Sequence, residues 1–307
     1  MQIFVTGGAG FIGSHLVKHL VQQGHTVHVF DDLSSGRPER ISGYGEAVQF
    51  TRGDVRDAKG VAAAMHGADL VFHLAAMVSV VASVDHPPEA YATNVLGTVH
   101  VLEAARRHGV QRVVQASTCA VYGNPEQLPV SEQTPVQPLS PYASTKLAAE
   151  QVGQLYQHLY GLATVALRFF NVYGPGQDPA SPYAAVVPRF VAALRDGEQP
   201  RIFGDGLQSR DFIFVGDVVQ ALWTAARSDH VAGDVFNIGT GRQASVRELA
   251  LLIGAALQVK VEPIFLPPRP GEVRHSRADV TLFAERTGYH ATTTLAEGLN
   301  ATVVARL

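Results

Sequence analysis

The chain has 307 residues, 46% of them apolar and 17% charged, and a net charge of −3. That length supports one large core, or a main domain with a smaller companion. The absence of a basic excess argues against nucleic acid or an anionic membrane surface as partner. Cys119 has no second cysteine to pair with, which excludes a disulfide within the chain and fits a reducing, cytoplasmic setting. The first strand is expected at Gln2 or Ile3, leaving no room for a signal peptide, and no apolar stretch approaches the ~20 residues that span a bilayer.

The first 170 residues alternate strand-like and helix-like segments. Apolar strands are expected at Ile3–Thr6, Thr26–Phe30, Val48–Thr51, Leu70–Leu74, Arg112–Ala116 and Thr164–Arg168. Helical periodicity marks Ile12–Gln23, Val61–His66, Thr93–His108 and Tyr142–Tyr160, which stop at Gly24, Gly67, Gly109 and Gly161. Glycine just past a helix end adopts the left-handed conformation without a Cβ penalty. Such alternation, with nearly all-apolar strands, predicts an α/β fold with a parallel sheet covered by helices on both faces.

After Asn171 the pattern loosens. Residues 174–210 are rich in Gly, Pro, Asp and Arg; a strand–helix pair follows at Asp211–Ala226, a strand at Val235–Ile238, a helix at Ser245–Leu257 and a proline-rich loop at Pro263–Arg274. The expected organisation is a main domain over 1–170, with a segment at about 211–240 returning to it, and a smaller, interleaved C-terminal substrate domain over 171–307.

Gly7, Gly10 and Gly13 have G-x-x-G-x-x-G spacing between the first strand and the first helix. With Phe11 and Ile12 they form a tight turn whose backbone can approach a phosphate at a helix N-terminus. This makes the sheet a Rossmann-type, doubly wound one with a dinucleotide seat. Asp31, at the end of the second strand and followed by Asp32, can accept hydrogen bonds from the adenosine ribose. It would repel a 2′-phosphate, favouring NAD over NADP, although Arg37 is near in sequence. Asp54-Val55 and Leu74-Ala75-Ala76 follow the third and fourth strands, at the ligand edge of such a sheet. Asp54 could hold the adenine amino group.

Ser140 suits an N-cap and Pro141 the first helical position, so Tyr142 falls in the first turn with Lys146 one turn later on the same face. An ammonium beside a phenol favours phenolate, which would make a tyrosine of ordinary pKa ~10 a usable base. Ser117-Thr118-Cys119-Ala120 follows the fifth strand and offers a hydroxyl to the same site. His15 and His19, four apart on the first helix, read as surface histidines. No H-E-x-x-H or C-x-x-C motif occurs and no metal is expected.

TGGAGFIG, STCAVYG, PYASTK, RFFNVYGP and RDFIFVGDV occur in this order. In these motifs the chain resembles the extended short-chain dehydrogenase/reductases, and most closely the NAD-dependent UDP-hexose 4-epimerases, from Gln2 to about Leu295. The resemblance implies Thr118, Tyr142 and Lys146 as the catalytic residues, with Asn94 and Ser117 lining the nicotinamide site. For a UDP-sugar it implies Asn171 and Val187, Phe203 beside the uracil, Arg210 and Arg269 on the diphosphate, Glu272 on the ribose and Ser276 beside the sugar. It implies tightly held NAD and a homodimer formed through a four-helix bundle of the helices Thr93–His108 and Tyr142–Tyr160.

The reaction expected from the resemblance is inversion of carbon 4 of a UDP-hexose by transient oxidation. Related dehydratases carry an acid pair after the threonine, where this chain has Cys119 and Ala120. The small Ser276 leaves room for a 2-acetamido group, implying UDP-GlcNAc/GalNAc besides UDP-Glc/Gal. Alternatives are a UDP-glucuronate 4-epimerase, a nucleotide-sugar 4-keto reductase and, outside enzymes, an NAD-binding sensor.

Overall fold

In the computed structural model, residues 1–179, 185–268 and 273–305 are described. The first half runs β1 (Gln2–Thr6), α1 (Phe11–Gln22), β2 (Thr26–Asp31), β3 (Val48–Arg52), α2 (Ala58–Ala64), β4 (Leu70–His73), α3 (Val80–Asp85), α4 (Pro87–Tyr91), a π-helical turn (Ala92–Leu96), α5 (Gly97–His108), β5 (Arg112–Thr118), α6 (Pro141–Tyr160) and β6 (Thr164–Phe169). The second half runs β7 (Asn171–Tyr173), α7 (Val186–Arg195), β8 (Arg201–Phe203), β9 (Ser209–Arg210), β10 (Phe212–Phe214), α8 (Val215–Arg227), β11 (Val235–Ile238), β12 (Ala244–Ser245), α9 (Val246–Leu257), β13 (Ile264–Leu266), α10 (Thr281–Thr287) and α11 (Leu295–Val304).

Seven parallel strands form the central sheet in the order β11-β6-β5-β4-β1-β2-β3. Side chains alternate across it. Ile3 and Val5 join one buried cluster with Leu16, Val17 and Leu20 of α1 and Val218, Leu222 and Ala225 of α8. Phe4 and Val71 point the other way, to Val61 of α2 and Val101, Leu102 and Ala105 of α5. Both faces are thus covered, which is why the strands are apolar throughout. The strand order reverses beside β1, so its C-terminal edge is the switch point where ligands bind in such sheets. Gly24, Gly67, Gly109 and Gly161 all have φ between 68° and 79°, the left-handed conformation expected of them.

A separate apolar cluster gathers Phe190, Val191 and Leu194 of α7, Leu249 and Ile253 of α9 and Leu299 of α11. The stretch expected to be irregular therefore holds a packed helix, α7, and the expected proline-rich loop contains β13, which pairs in parallel with β8. Their apolar signal is short and interrupted, and the burial comes from distant partners. Thr93–His108 is not one regular helix, because a π-turn precedes α5. The second expected helix starts and ends earlier, at Ala58–Ala64, where Asp57 caps it.

Phe236 of β11 is fully buried against Phe283 of α10, ring centroids 5.2 Å apart. Phe236→Ala should cost ~3–5 kcal/mol, read as a lower midpoint in denaturant unfolding.

Candidate active site

Gly7 has φ 70°, and a Cβ there would come within 2.7 Å of the Ala75 nitrogen. A Cβ on Gly13 would lie 2.1 Å from the Gly7 carbonyl oxygen. The loop is therefore closed on itself and on the end of β4, and only glycine fits at either position. Gly10 caps α1 without a side-chain hydrogen bond, so the first-turn N–H groups, at Phe11, Ile12 and Gly13, are presented at the positive end of the helix. A pyrophosphate fits that arrangement.

The floor of this seat is a hydrogen-bonded line that the sequence did not reveal. Ala75 N–H donates to the Thr6 hydroxyl (3.2 Å), which donates to His73 Nδ1 (2.7 Å). On the other side His73 Nε2–H donates to Thr98 Oγ1 (3.0 Å), which donates to the Asn94 carbonyl (2.6 Å). The line needs a neutral imidazole, since Nδ1 must accept. Burial, then the nearby Lys146 charge, brings the His73 pKa from 6.5 down to about 3.

Asp31 is buried and accepts from Ala9 N (2.9 Å) and Leu33 N (2.9 Å). Burial raises its pKa despite these bonds. It braces the glycine loop against the end of β2 and keeps lone pairs for a ribose. Asp32 is exposed and closes its own turn on Ser34. Arg37 is bonded to Asp178 (2.6 Å). Asp54 pairs with Arg56 (2.5 Å), whose hydrogen bond lowers its pKa, and Val55 packs in the core. Leu74, Ala75 and Ala76 are half-buried beyond β4.

Ser140 caps α6 through Ala143 N (3.2 Å), with Pro141 following, as its sequence implies. Tyr142 and Lys146 lie one turn apart beside the end of β5. Lys146 Nζ donates to the Ala116 carbonyl (2.9 Å), and burial brings its pKa down to about 8 while Glu150 opposes that shift. The nearby Thr118 hydroxyl favours the phenolate, but burial outweighs it and pushes the phenol up to about 12. The expectation of a lowered tyrosine is therefore corrected for the chain by itself: the ammonium is turned to a backbone carbonyl, and desolvation dominates.

Two residues expected at the nicotinamide are buried and bonded within the protein. The Asn94 amide is spent on Met77 N (2.8 Å), Met77 O (3.1 Å) and Thr145 (2.9 Å). Ser117 donates to the Glu150 carboxylate. Both hold the walls of the site. The α1 histidines are also not free surface groups: His15 bonds the Pro175 carbonyl (2.9 Å), and His19 packs edge-on to Trp223. Among the described residues no group of His, Cys, Asp and Glu could hold a metal ion.

On the substrate side, Ser276 is hydrogen-bonded to the Cys119 thiol, and Arg210 of β9 lies within electrostatic reach of it. Burial first, then Asp211, pushes that thiol up to about 12. Ser276 N–H donates to the Ser209 carbonyl (3.1 Å), so the 273–279 segment runs along β9 beside Thr118. Buried Asp211 anchors this corner by accepting from Thr240, Gly241 and Ala278 backbone N–H groups. Asn171 starts β7, its N–H donating to the Asp211 carbonyl (2.9 Å). The Val187 side chain is buried in the α7–α9 cluster. Arg269 and Glu272 lie outside the described residues.

Near Phe203 an open concavity of about 650 Å³ is lined by Gly204, Asp205, Phe265, Leu266, Pro268 and Arg274. Asp205 and Arg274 form an ion pair (2.6 Å) there, which holds the Asp205 pKa at about 2. Neither residue carried a sequence signal, since their pairing joins loops distant in the chain.

Fold and glycine seat together define a dinucleotide-binding α/β protein. Residues 3–239 match the NAD dependent epimerase/dehydratase family, and the chain belongs to that family. A UDP-glucose 4-epimerase of Mycolicibacterium smegmatis is 45% identical to it, over 99% of this chain and 97% of that protein. The structure of a UDP-N-acetylglucosamine 4-epimerase from Methanobrevibacter ruminantium M1, in complex with UDP-N-acetylmuramic acid, matches with a TM-score of 0.94 at 36% identity, covering 99% of this chain and 97% of that one. A UDP-glucose 4-epimerase of Thermus thermophilus, in complex with NAD, matches at 0.90 and 37% identity, covering 99% and 98%. The protein is an NAD-dependent epimerase of the extended short-chain dehydrogenase/reductase type. No helix among the described residues is long and apolar enough to cross a membrane.

His73 binds a proton in the unfolded chain near pH 6.5 but in the folded chain only near pH 3. Stability should therefore be full above the first value and fall as pH drops through the interval. His73→Gln should flatten that part of the stability–pH curve, measured by denaturant unfolding; an unchanged slope would show that the imidazole is not held neutral.

Proposed function

We propose that the protein inverts carbon 4 of a UDP-hexose, interconverting UDP-Glc with UDP-Gal and UDP-GlcNAc with UDP-GalNAc while keeping its NAD bound. The observation that carries this reading is the gathering of Thr118 and Tyr142 beside buried Lys146, with Cys119 and Ala120 following Thr118. A 4,6-dehydratase needs an acid to expel water, and no carboxylate occupies either place. That disfavours the other activity of the family.

In this reading Thr118 aligns the sugar 4-hydroxyl with the Tyr142 oxygen. Tyr142 as phenolate takes the hydroxyl proton and later returns it, so acid and base are one group. Bound NAD supplies reversible hydride acceptance. Lys146 contributes the positive charge that favours phenolate, at a cost set by burial. Arg210, with Arg269, holds the diphosphate while the 4-keto sugar turns to offer its other face. The 171–307 portion, apart from the segment at about 211–240 that returns to the main domain, is the substrate domain, with Phe203 and the neighbouring concavity suited to a flat pyrimidine. Asp31 supports NAD as the coenzyme, and the engagement of Arg37 with Asp178 leaves the cation nearest to a 2′-phosphate already paired.

Purified without added coenzyme, the protein should form the C4 epimers of these sugars, identified by NMR. A requirement for stoichiometric NADPH would identify a 4-keto reductase, and turnover of UDP-glucuronate alone would select that sugar. Tyr142→Phe should lower kcat by ~10²–10⁴ and preserve UDP-sugar binding, measured by calorimetry.

Ser276→Tyr should suppress activity on the N-acetylated sugars and spare UDP-Glc/Gal, since the side chain stands against Cys119 and added bulk would fill the space beside the sugar. Equal loss of both activities would contradict this placement.

We also propose a homodimer. Tyr91 and Leu96 ahead of α5, and Leu155, Leu159 and Tyr160 on α6, are all exposed, and a second copy of the same helices would cover them. Light scattering should give twice the monomer mass, and Leu155→Asp with Leu159→Asp should give the monomer. A monomeric wild-type protein would overturn the assignment.

A further inference from the structure

Glu150 follows Lys146 by one turn on α6 and is 3% exposed. Its carboxylate accepts three hydrogen bonds from two residues. Oε1 accepts from Arg168 Nε (3.0 Å) and from the Ser117 hydroxyl, and Oε2 accepts from Arg168 NH2 (2.7 Å). Arg168 continues the line, since NH1 donates to the Tyr122 hydroxyl (2.8 Å) and the guanidinium lies over the Tyr122 ring, 4.8 Å from its centroid. Tyr122 in turn donates to Asn237 Oδ1 on β11 (2.7 Å). Ser117 and Arg168 are register partners on β5 and β6. Ser117 stands between Ala116, whose carbonyl takes the Lys146 ammonium, and Thr118. The carboxylate therefore fastens α6, which carries Tyr142 and Lys146, to the strand end that carries Thr118.

Resting on the reading of Tyr142, Lys146 and Thr118 given above, we infer that Glu150 is the positioning residue of this site: it holds Lys146 in its charged form and fixes the catalytic helix against β5. A buried carboxylate needed only for packing would be satisfied by Arg168 alone. Here it also faces the lysine from the next turn and binds the residue beside Thr118.

The titratable and charged groups facing Lys146 and its neighbours are Tyr142 and Glu150 from α6 and His73 from β4, with Cys119 acting on Tyr142 and Arg168 and Tyr122 reached through Glu150. From α3 and the π-turn come the neutral Ser83 and Asn94. Among them Glu150 supplies the negative charge. The influence of Glu150 on Lys146 is upward, against the downward pull of burial. Turnover that needs the ammonium is present below the lysine pKa and lost as pH rises through it. Removing the Glu150 charge must then move the alkaline limb of kcat to lower pH.

The test is the kcat–pH and KM–pH profile of the NAD-loaded protein for UDP-Glc/Gal, compared with Glu150→Gln and with Glu150→Gln/Arg168→Gln. The double variant leaves no unpaired buried charge but also removes the positive charge of Arg168, so it separates the two contributions. In Glu150→Gln the alkaline limb should move down by about one pH unit, with kcat about tenfold lower on that side and KM little changed, and in the double variant it should move less. A limb that stays in place in folded Glu150→Gln overturns the inference. Should that variant not fold, Glu150→Asp, which withdraws the charge by one methylene, must move the limb in the same direction; a wild-type profile there overturns it equally. Failure of the wild-type protein to invert carbon 4 would instead overturn the proposed function, so the two failures are distinguishable.

Discussion

A charged lysine held inside an apolar wall is the constraint on which the rest of this structure depends. Burial alone would strip Lys146 of its proton and keep Tyr142 neutral, and both pKa values move that way. What resists is a small set of fixed partners: the Ala116 carbonyl, the Glu150 charge and the Thr118 hydroxyl. They come from two elements, α6 and the end of β5, so any slip between helix and strand would disarm the site. Buried Glu150 joins α6 to β5 through Ser117 and to β6 through Arg168.

The same economy governs the coenzyme seat. The glycine loop closes on the end of β4 because no Cβ intervenes at Gly7 or Gly13. The Thr6–His73–Thr98 line then carries that end to Asn94, and the Asn94 amide reaches Thr145 on α6. Pyrophosphate seat and catalytic helix thus share one buried hydrogen-bonded path. Gly7 and Tyr142 are far apart in sequence yet are held by common walls.

The sheet and the seat were legible in the sequence because their signals are local. Apolar runs, glycine stops and the glycine trio each act within a few residues, and a parallel sheet covered on both faces follows from them, while the order of its strands comes from the structure. Tyr142, Lys146 and Thr118 were legible from spacing at successive strand ends. The internal bonding of Asn94 and Ser117 was not, because it depends on Met77, Thr145 and Glu150, which come from other elements. The burial of Val187 was hidden for the same reason, since it comes from helices far along the chain. Helix α7 and strand β13 escaped because short apolar runs among prolines and glycines become ordered only against α9 and β8. Glu150 could have been found from its place one turn past Lys146, although nothing local names Arg168 as its partner.

The central claim is that Lys146, charged in place, draws the Tyr142 phenol down from the high value that burial imposes. Its direct measurement is the ultraviolet phenolate titration of the NAD-loaded protein, taken as the difference from Tyr142→Phe, and repeated with Lys146→Met. The account predicts a midpoint well below the ordinary tyrosine value in the first case and a return above it in the second. A Tyr142 that titrates at about 12 with coenzyme bound, indifferent to the lysine, would contradict it.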